Sequence, residues 1–351
     1  MSLRVLRPGL LTTVQDLGRH GHQNVGLCPG GAMDPVALAL ANALVGNAPG
    51  EAALEITVIG PELEFGETSL VALCGAEFMG EFPHNRPVLV EAGSRLNVGR
   101  TARGARAYLA AAGGFAVDPV LGSRSTFLPG GFGGFKGRAL KRGDVLALRD
   151  PAAAKKFFKL KNSRDGSVRW SAPPLTLADR EPILLHVIEG QHYASFDVAS
   201  QRAFLETLWR ITPDSNRMGF RLGGPALVRA SAGEMSDEIL SGPTCLGTVQ
   251  VAANGVPIAL MADHQTTGGY PRIAEIVSAD VPRLAQLAPG GTLRFTRCSL
   301  EMAAELRRHV RERLDAALQG IAWEYVKLKR SISIATWARA TAPGPWAPTP
   351  G

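Results

Sequence analysis

No two of the four cysteines, Cys28, Cys74, Cys245 and Cys298, stand close enough in the sequence to form a CxxC pair. Neither a zinc knuckle nor a redox dithiol is encoded, and the four read as reduced, mostly buried thiols. Aromatic residues are sparse, at 6%. No apolar run approaches the ~18 residues of a membrane-spanning helix. The stretch from Met1 to Gln15 lacks the apolar core of a secretion signal, so the expected location is the cytoplasm. Common catalytic signatures are missing too. There is no GxSxG elbow and no HExxH, no dinucleotide fingerprint followed by its acidic residue, and no methionine-flanked lysine of a biotin carrier. His20 and His22 lack the further ligands that a metal site needs. The run Gly130-Gly131-Phe132-Gly133-Gly134-Phe135-Lys136-Gly137 resembles a phosphate loop at a glance. It fails the GxxxxGK[ST] pattern because Gly137 stands where Ser or Thr should, and it reads as a flexible loop.

What is present is glycine, 40 residues, and proline, 24 residues, in a chain of 351. That mixture favours many turns and short strands over long helices, and the length suits about two domains. The net charge is +7, with basic groups at Lys136–Arg142, Lys155–Arg169 and Arg307–Arg313. Apart from Phe157-Phe158, none of these groups is interleaved with aromatics in a nucleic-acid module, so they read as solvated surface or as a face for an acidic partner.

Residues Leu3 to Val14 read as two short strands around Pro8-Gly9. The clearest helix is Pro35 to Val45, with Asp34 as N-cap, Pro35 at the first helical position and Gly46-Asn47 at the end. Strand-like runs follow from Ala53 to Ala112, the first carrying an acidic Glu55 that either pairs with a base or faces a site. The stretch 151–182 reads as a linker. Beyond it come the strand Ile183–Ile188, a short helix over Phe196–Leu208, and two strands flanking Asn254-Gly255, a strong hairpin signal. Val281–Leu287 reads as a helical turn and Leu300–Leu318 as an amphipathic helix. The Pro-rich end, Ala342 to Gly351, is expected to be disordered. A pattern of Gly, two residues, Leu, one residue and an apolar residue occurs at Gly93–Val98, Gly143–Leu148 and Gly290–Phe295. It reads as a tight turn entering a strand. These features divide the chain into a first domain over 1–150, the linker, a second domain over 183–298 and a C-terminal helix with a flexible tail over 299–351.

The polar turns are the candidate site. Asp263-His264-Gln265-Thr266-Thr267-Gly268-Gly269-Tyr270-Pro271 lies between two apolar runs and offers imidazole, amide, hydroxyl and backbone N–H groups. It is either a hairpin turn with its polar groups in water or a cradle for something small and polar. Similar turns contain Gln15, Asp16 and Arg19, then Arg124, then Arg217. Each arginine suits a two-pronged bond to a carboxylate or phosphate. Arg217 instead holds a loop if it pairs with Asp214 or another acid, and Asp16 and Arg19 are themselves a candidate pair. Asn42, inside the first helix, either bonds a nearby loop or faces a ligand. The resulting ligand-binding candidates are Gln15, Asp16, Arg19, Asn42, Arg124, Arg217, His264, Gln265, Thr266, Thr267, Gly269 and Tyr270. No catalytic residue and no metal ligand is assigned.

Taken together, Thr13–Arg19, Gly31–Asp34 with Ala41-Asn42 and Gly46-Asn47, Gly122–Thr126, Asp214–Gly219 and Gln265–Pro271 resemble one family. It is the allophanate hydrolase subunit 2 family, also called the biotin-dependent carboxyltransferase family or the family of the 5-oxoprolinase C subunit. The match runs over about residues 3 to 297. The resemblance implies a mainly β protein with two cyclophilin-like β-barrel domains and few helices. It implies a subunit of an ATP-dependent 5-oxoprolinase that opens 5-oxoproline to glutamate. Its partners would be an allophanate hydrolase subunit 1-like protein and a lactam-utilisation-type subunit. ATP would be used by the complex, at a site not located in this chain. Two alternatives remain: a carboxyltransferase component receiving carboxyl from biotin held on another chain, and a non-enzymatic regulator that antagonises a kinase inhibitor.

Overall fold

The computed structural model describes residues 2–155, 168, 170–178, 180–230 and 239–328. The Pro-rich end from Ala342 and part of the expected linker lie outside the described residues. The chain forms two compact units. The first comprises Met1–Gly18, Asp34–Leu177 and Glu312–Gly351, and the second Arg19–Met33 and Ala178–Arg311.

The first unit contains β1 (Ser2–Arg7), β2 (Leu11–Gln15), α1 (Pro35–Leu44), β3 (Ala53–Thr57), β4 (Glu62–Phe65), β5 (Ser69–Phe78), β6 (Pro87–Val90), β7 (Arg95–Asn97), β8 (Thr101–Ala111) and β9 (Val145–Ala147). Two sheets enclose its core, in the orders β7-β4-β1-β9 and β2-β3-β8-β5-β6. The strands on either side of Pro8-Gly9 therefore belong to different sheets. β1 alternates buried Leu3 and Val5 with outward Arg4, the period of a strand with one face in the core. α1 is buried from Val36 to Leu44, so its larger apolar side chains, Val36, Leu38, Leu40 and Leu44, each contribute roughly 1.5–3 kcal/mol. Its N-terminus is capped as its sequence demands, with Asp34 Oδ1 accepting from the Ala37 N–H at 3.0 Å.

The second unit contains β10 (Ile183–Glu189), α2 (Val198–Glu206), β11 (Trp209–Ile211), β12 (Gly219–Gly223), β13 (Gly242–Pro243), β14 (Thr248–Val251), β15 (Pro257–Leu260), β16 (Thr267–Gly268), β17 (Arg272–Ile276), α3 (Val281–Ala285) and β18 (Thr292–Arg297). Seven of these strands close a barrel in the order β10-β17-β14-β15-β12-β11-β18. Closure is made by the parallel pairing of β10 with β18, Ile183 opposite Leu293. Trp209, Phe204 and Phe295 fill the interior, with the Phe204 and Phe295 rings stacked 4.5 Å apart. The mainly β class with few helices is the one the chain adopts.

Gly93, Gly143 and Gly290 take φ of +78°, +88° and +92°. A Cβ on any of them would meet nothing within 4 Å. Backbone conformation, not crowding, thus selects glycine at these three turns, and each turn feeds a strand whose leucine, Leu96, Leu146 or Leu293, is buried.

Two sequence expectations need correction. The helix predicted over Leu300–Leu318 is α4 (Leu300–Leu328). It continues because Leu314, Ile321 and Tyr325 keep one buried line, and the Tyr325 hydroxyl donates to the Leu44 carbonyl. Where it is described up to Leu177, the expected linker packs within the first unit. Ala172 N–H donates to the Asn85 carbonyl at 2.7 Å, and Thr176 Oγ1 donates to Asp34 Oδ2 at 2.6 Å.

Candidate functional site

The strands that flank Asp263–Pro271 do not pair with each other. β14 lies between β15 and β17 and is hydrogen-bonded to both. The stretch is therefore not a hairpin turn; it crosses over β14, from beside its start, where β15 ends, to beside its far end, where β17 begins. Within it, β16 pairs with β13, Gly242 opposite Gly268 and Pro243 opposite Thr267. The Thr244 N–H donates to the Thr266 carbonyl at 2.9 Å, and the Thr244 hydroxyl donates to the Gln265 carbonyl.

The crossing is anchored at its start by charge. Arg217 Nε donates to Asp263 Oδ2 at 2.8 Å and Nη2 to Asp263 Oδ1 at 2.9 Å. The side chains of this pair are only 4% and 1% exposed. Arg217 Nη2 also donates to the Gly31 carbonyl at 2.7 Å, and the Asp263 N–H donates to the Arg217 carbonyl at 2.8 Å. Its acid is Asp263, not Asp214. One guanidinium thus ties the crossing to the loop 19–33. Arg19, also buried, begins that loop, where its N–H donates to the Pro29 carbonyl at 2.7 Å. The loop's Cys28 thiol is 3.5 Å from the Ala262 carbonyl, and burial, then the Asp263 charge, pushes its pKa up.

His264 is buried, with Nδ1 2.8 Å from the Met261 carbonyl. Burial holds its pKa below the ordinary value, against the raising pull of the Met261 and Thr244 carbonyls and of Asp263. Gln265 Nε2 donates to Gln250 Oε1 at 2.9 Å. Gln250 sits on β14 beneath the crossing and is 1% exposed. The sequence signal for it is a lone amide inside the apolar run Leu246–Ala252. By contrast Thr267, Gly269 and Tyr270 face solvent. The stretch therefore has a tied base and an open rim.

In the first unit, Asp16 is a hub. Its Oδ1 accepts from the Gly18 N–H at 2.8 Å and from the Ser123 and Ser125 hydroxyls, both at 2.6 Å, while Oδ2 accepts from the Arg124 N–H at 2.5 Å. Three of these four donors belong to the 121–126 turn, and one carboxylate thus fixes that turn against the end of β2. Arg124 Nε donates to the Val117 carbonyl at 3.0 Å. Gln15 Nε2 donates to Thr13 Oγ1 at 3.0 Å and to the Thr126 carbonyl at 3.1 Å. Its Oε1 is buried and has no hydrogen-bond partner among the described residues.

Asn42 is fully buried, and its amide serves the fold. Nδ2 donates to the Glu51 carbonyl at 2.6 Å, and Oδ1 accepts from Asn47 Nδ2 at 3.1 Å. Glu55 answers to a tyrosine: the Tyr108 hydroxyl donates to Glu55 Oε2 at 2.7 Å and accepts from the Asp34 N–H at 2.8 Å.

The glycine-rich loop does not fit a phosphate cradle. A Cβ on Gly134 would fall 1.8 Å from Thr126 Oγ1, and one on Gly137 would fall 1.9 Å from the Gly131 carbonyl. These glycines allow close packing of the loop on its own unit. The Lys136 ammonium lies over the Phe135 ring, 5.2 Å from its centroid. Among the described residues no His, Cys, Asp or Glu group is placed to hold a metal, and no helix is long and apolar enough to cross a membrane.

A family model described as the carboxyltransferase domain, subdomain A and B, matches residues 25–297. The chain is 42% identical over 311 residues to the C subunit of 5-oxoprolinase from Escherichia coli (strain K12), covering 87% of this chain and 94% of that protein. It is 34% identical over 340 residues to the urea amidolyase of Lachancea kluyveri, covering 91% of this chain but 18% of that protein. The crystal structure of Kluyveromyces lactis urea carboxylase superposes with a TM-score of 0.79 at 32% identity, over 90% of this chain and 29% of that one.

Proposed function

Because this chain belongs to the carboxyltransferase domain family of subdomains A and B, we propose that it is the C subunit of a 5-oxoprolinase, acting in a complex that hydrolyses 5-oxoproline to glutamate. The carrying observation is likeness: the chain is 42% identical to the E. coli 5-oxoprolinase C subunit and 34% identical to the Lachancea kluyveri urea amidolyase.

In this reading the chain binds and orients the small amide, while ATP is handled by the partner subunits, a subunit 1-like protein and a lactam-utilisation-type protein. The packing of Gly134, Gly137 and Lys136 supports placing ATP elsewhere. In the second unit the substrate-facing groups are Thr267, Gly269 and Tyr270 on the open rim. In the first unit the candidates are Arg124 and Gln15. Asp16, Asn42, Arg217 and Asp263 hold the loops of their own units in place, since their polar atoms serve the turns around them. Buried Arg19 and His264 and half-buried Gln265 and Thr266 belong to the loops of the second unit.

The test is reconstitution. The chain with both partners, ATP and 5-oxoproline should release glutamate and ADP, and the chain alone should release neither. Turnover by the single chain would refute the assignment. The fold likeness to urea carboxylase keeps a second reading, carboxyl transfer from a biotin carrier to urea. It predicts labelled carboxyl loss from carboxybiotin on adding this chain and urea, with no response to 5-oxoproline.

A further inference from the structure

Gln250 is a fully buried amide whose two ends are treated differently. Its Oε1 accepts from Gln265 Nε2 at 2.9 Å. Its Nε2 is buried and has no acceptor among the described residues. A buried donor left without an acceptor is rare in folded proteins and calls for an explanation. The cover over this donor is thin. A Cβ added at Gly268 would fall 2.5 Å from Gln250 Nε2, so the amide lies directly against a residue that has no side chain. The neighbours of Gly268, Thr267 and Gly269, are exposed. Gly268 is held there by a ribbon only two residues wide, β16 on β13.

We propose that Gln250 Nε2 is a ligand-binding donor, which gives a hydrogen bond to a carbonyl or carboxylate oxygen of the small amide when the β13–β16 ribbon lifts. Gln265, bonded to Gln250 Oε1, fixes which end of the amide faces upward. The glycine at 268 keeps the path to it short. This rests on reading the Asp263–Pro271 crossing as part of the ligand site, but not on which amide is bound.

The experiment follows the Gln250 side-chain NH2 signals of the full-length chain by 15N-resolved NMR, assigned by their loss in Gln250→Leu. Probes are 5-oxoproline, urea and acetamide, each titrated alone. A saturable downfield shift with at least one probe is expected, and no shift with any of them overturns the proposal. Should urea move the signals while 5-oxoproline does not, the donor role stands and the 5-oxoprolinase assignment falls. In the assembled complex, Gln250→Glu keeps the acceptor for Gln265 but removes the donor. It should raise KM about tenfold with kcat within about twofold, as expected for loss of one ligand hydrogen bond. A lowered melting temperature with unchanged KM would make Gln250 a packing residue and overturn the proposal.

Discussion

Arg217 and Asp263 face each other through two parallel charged hydrogen bonds of 2.8 and 2.9 Å, with both side chains buried. Breaking a buried pair by removing one partner leaves the other charge uncompensated and costs about 3–5 kcal/mol. Arg217→Met is therefore expected to destabilise the chain by that order, measured by urea unfolding. Arg217→Lys keeps charge but loses the fork and should fall between. Turnover of the folded fraction in the complex should change little with Lys. A large loss of kcat/KM at unchanged melting temperature would instead make Arg217 a substrate clamp.

Tyr108→Phe removes one hydroxyl that serves two groups, the Asp34 N–H and Glu55 Oε2. Both lie in the core, so the expected cost is about 1–3 kcal/mol for each group left unsatisfied. Equilibrium unfolding of the variant checks it; a change below about 0.5 kcal/mol would contradict the pairing.

His84 gives a pH dependence of definite sign. Its Nε2 accepts from the Phe78 N–H at 3.0 Å, and its ring stacks on Phe78. Burial holds its pKa below the ordinary 6.5, opposed by the charge of Glu77. The unfolded chain therefore takes up a proton more readily than the folded one. The stability His84 contributes is full above pH 6.5 and declines as pH falls through the depressed folded value. His84→Gln should flatten that part of the stability–pH curve, read by thermal melts from pH 8 to 5. An identical slope in variant and parent would contradict the assignment.

Ending the chain after Thr296 removes all of α4, and with it buried Leu314, Ile321 and Tyr325. Each such side chain contributes roughly 1.5–3 kcal/mol, and Tyr325 also meets Trp170 edge-on at 5.7 Å. The truncated chain should melt lower and be cleaved faster by protease. Ending it after Ala340 should leave both readouts unchanged. Equal behaviour of the two truncations would show that the helix is dispensable.

The sequence is most legible where structure is set by neighbours. Asp34 and Pro35 announce α1, Asn254-Gly255 announces the β14–β15 hairpin, and three glycine turns announce β7, β9 and β18. Each is decided within a few residues by capping, turn geometry or φ. Relationships set by distant residues are not legible. The partner of Arg217 lies 46 positions away, and that of Glu55 lies 53 away. Several acids near each arginine are equally good in sequence. The crossing of Asp263–Pro271 passes for a hairpin turn for a similar reason. Two apolar runs on either side of a turn look alike whether the strands pair directly or admit a third between them.

That third strand has a kinetic consequence. β14 and β15 form a local hairpin that can nucleate early, but β17 must reach the opposite edge of β14 before Asp263–Pro271 acquires its shape. The barrel then closes only when Ile183 finds Leu293, 110 residues away, and such distant pairings are the slow events of folding. The crossing should therefore be among the last parts of the second unit to mature. A nascent or partly folded chain would hold its hairpin while Gln265 still lacks its place over Gln250.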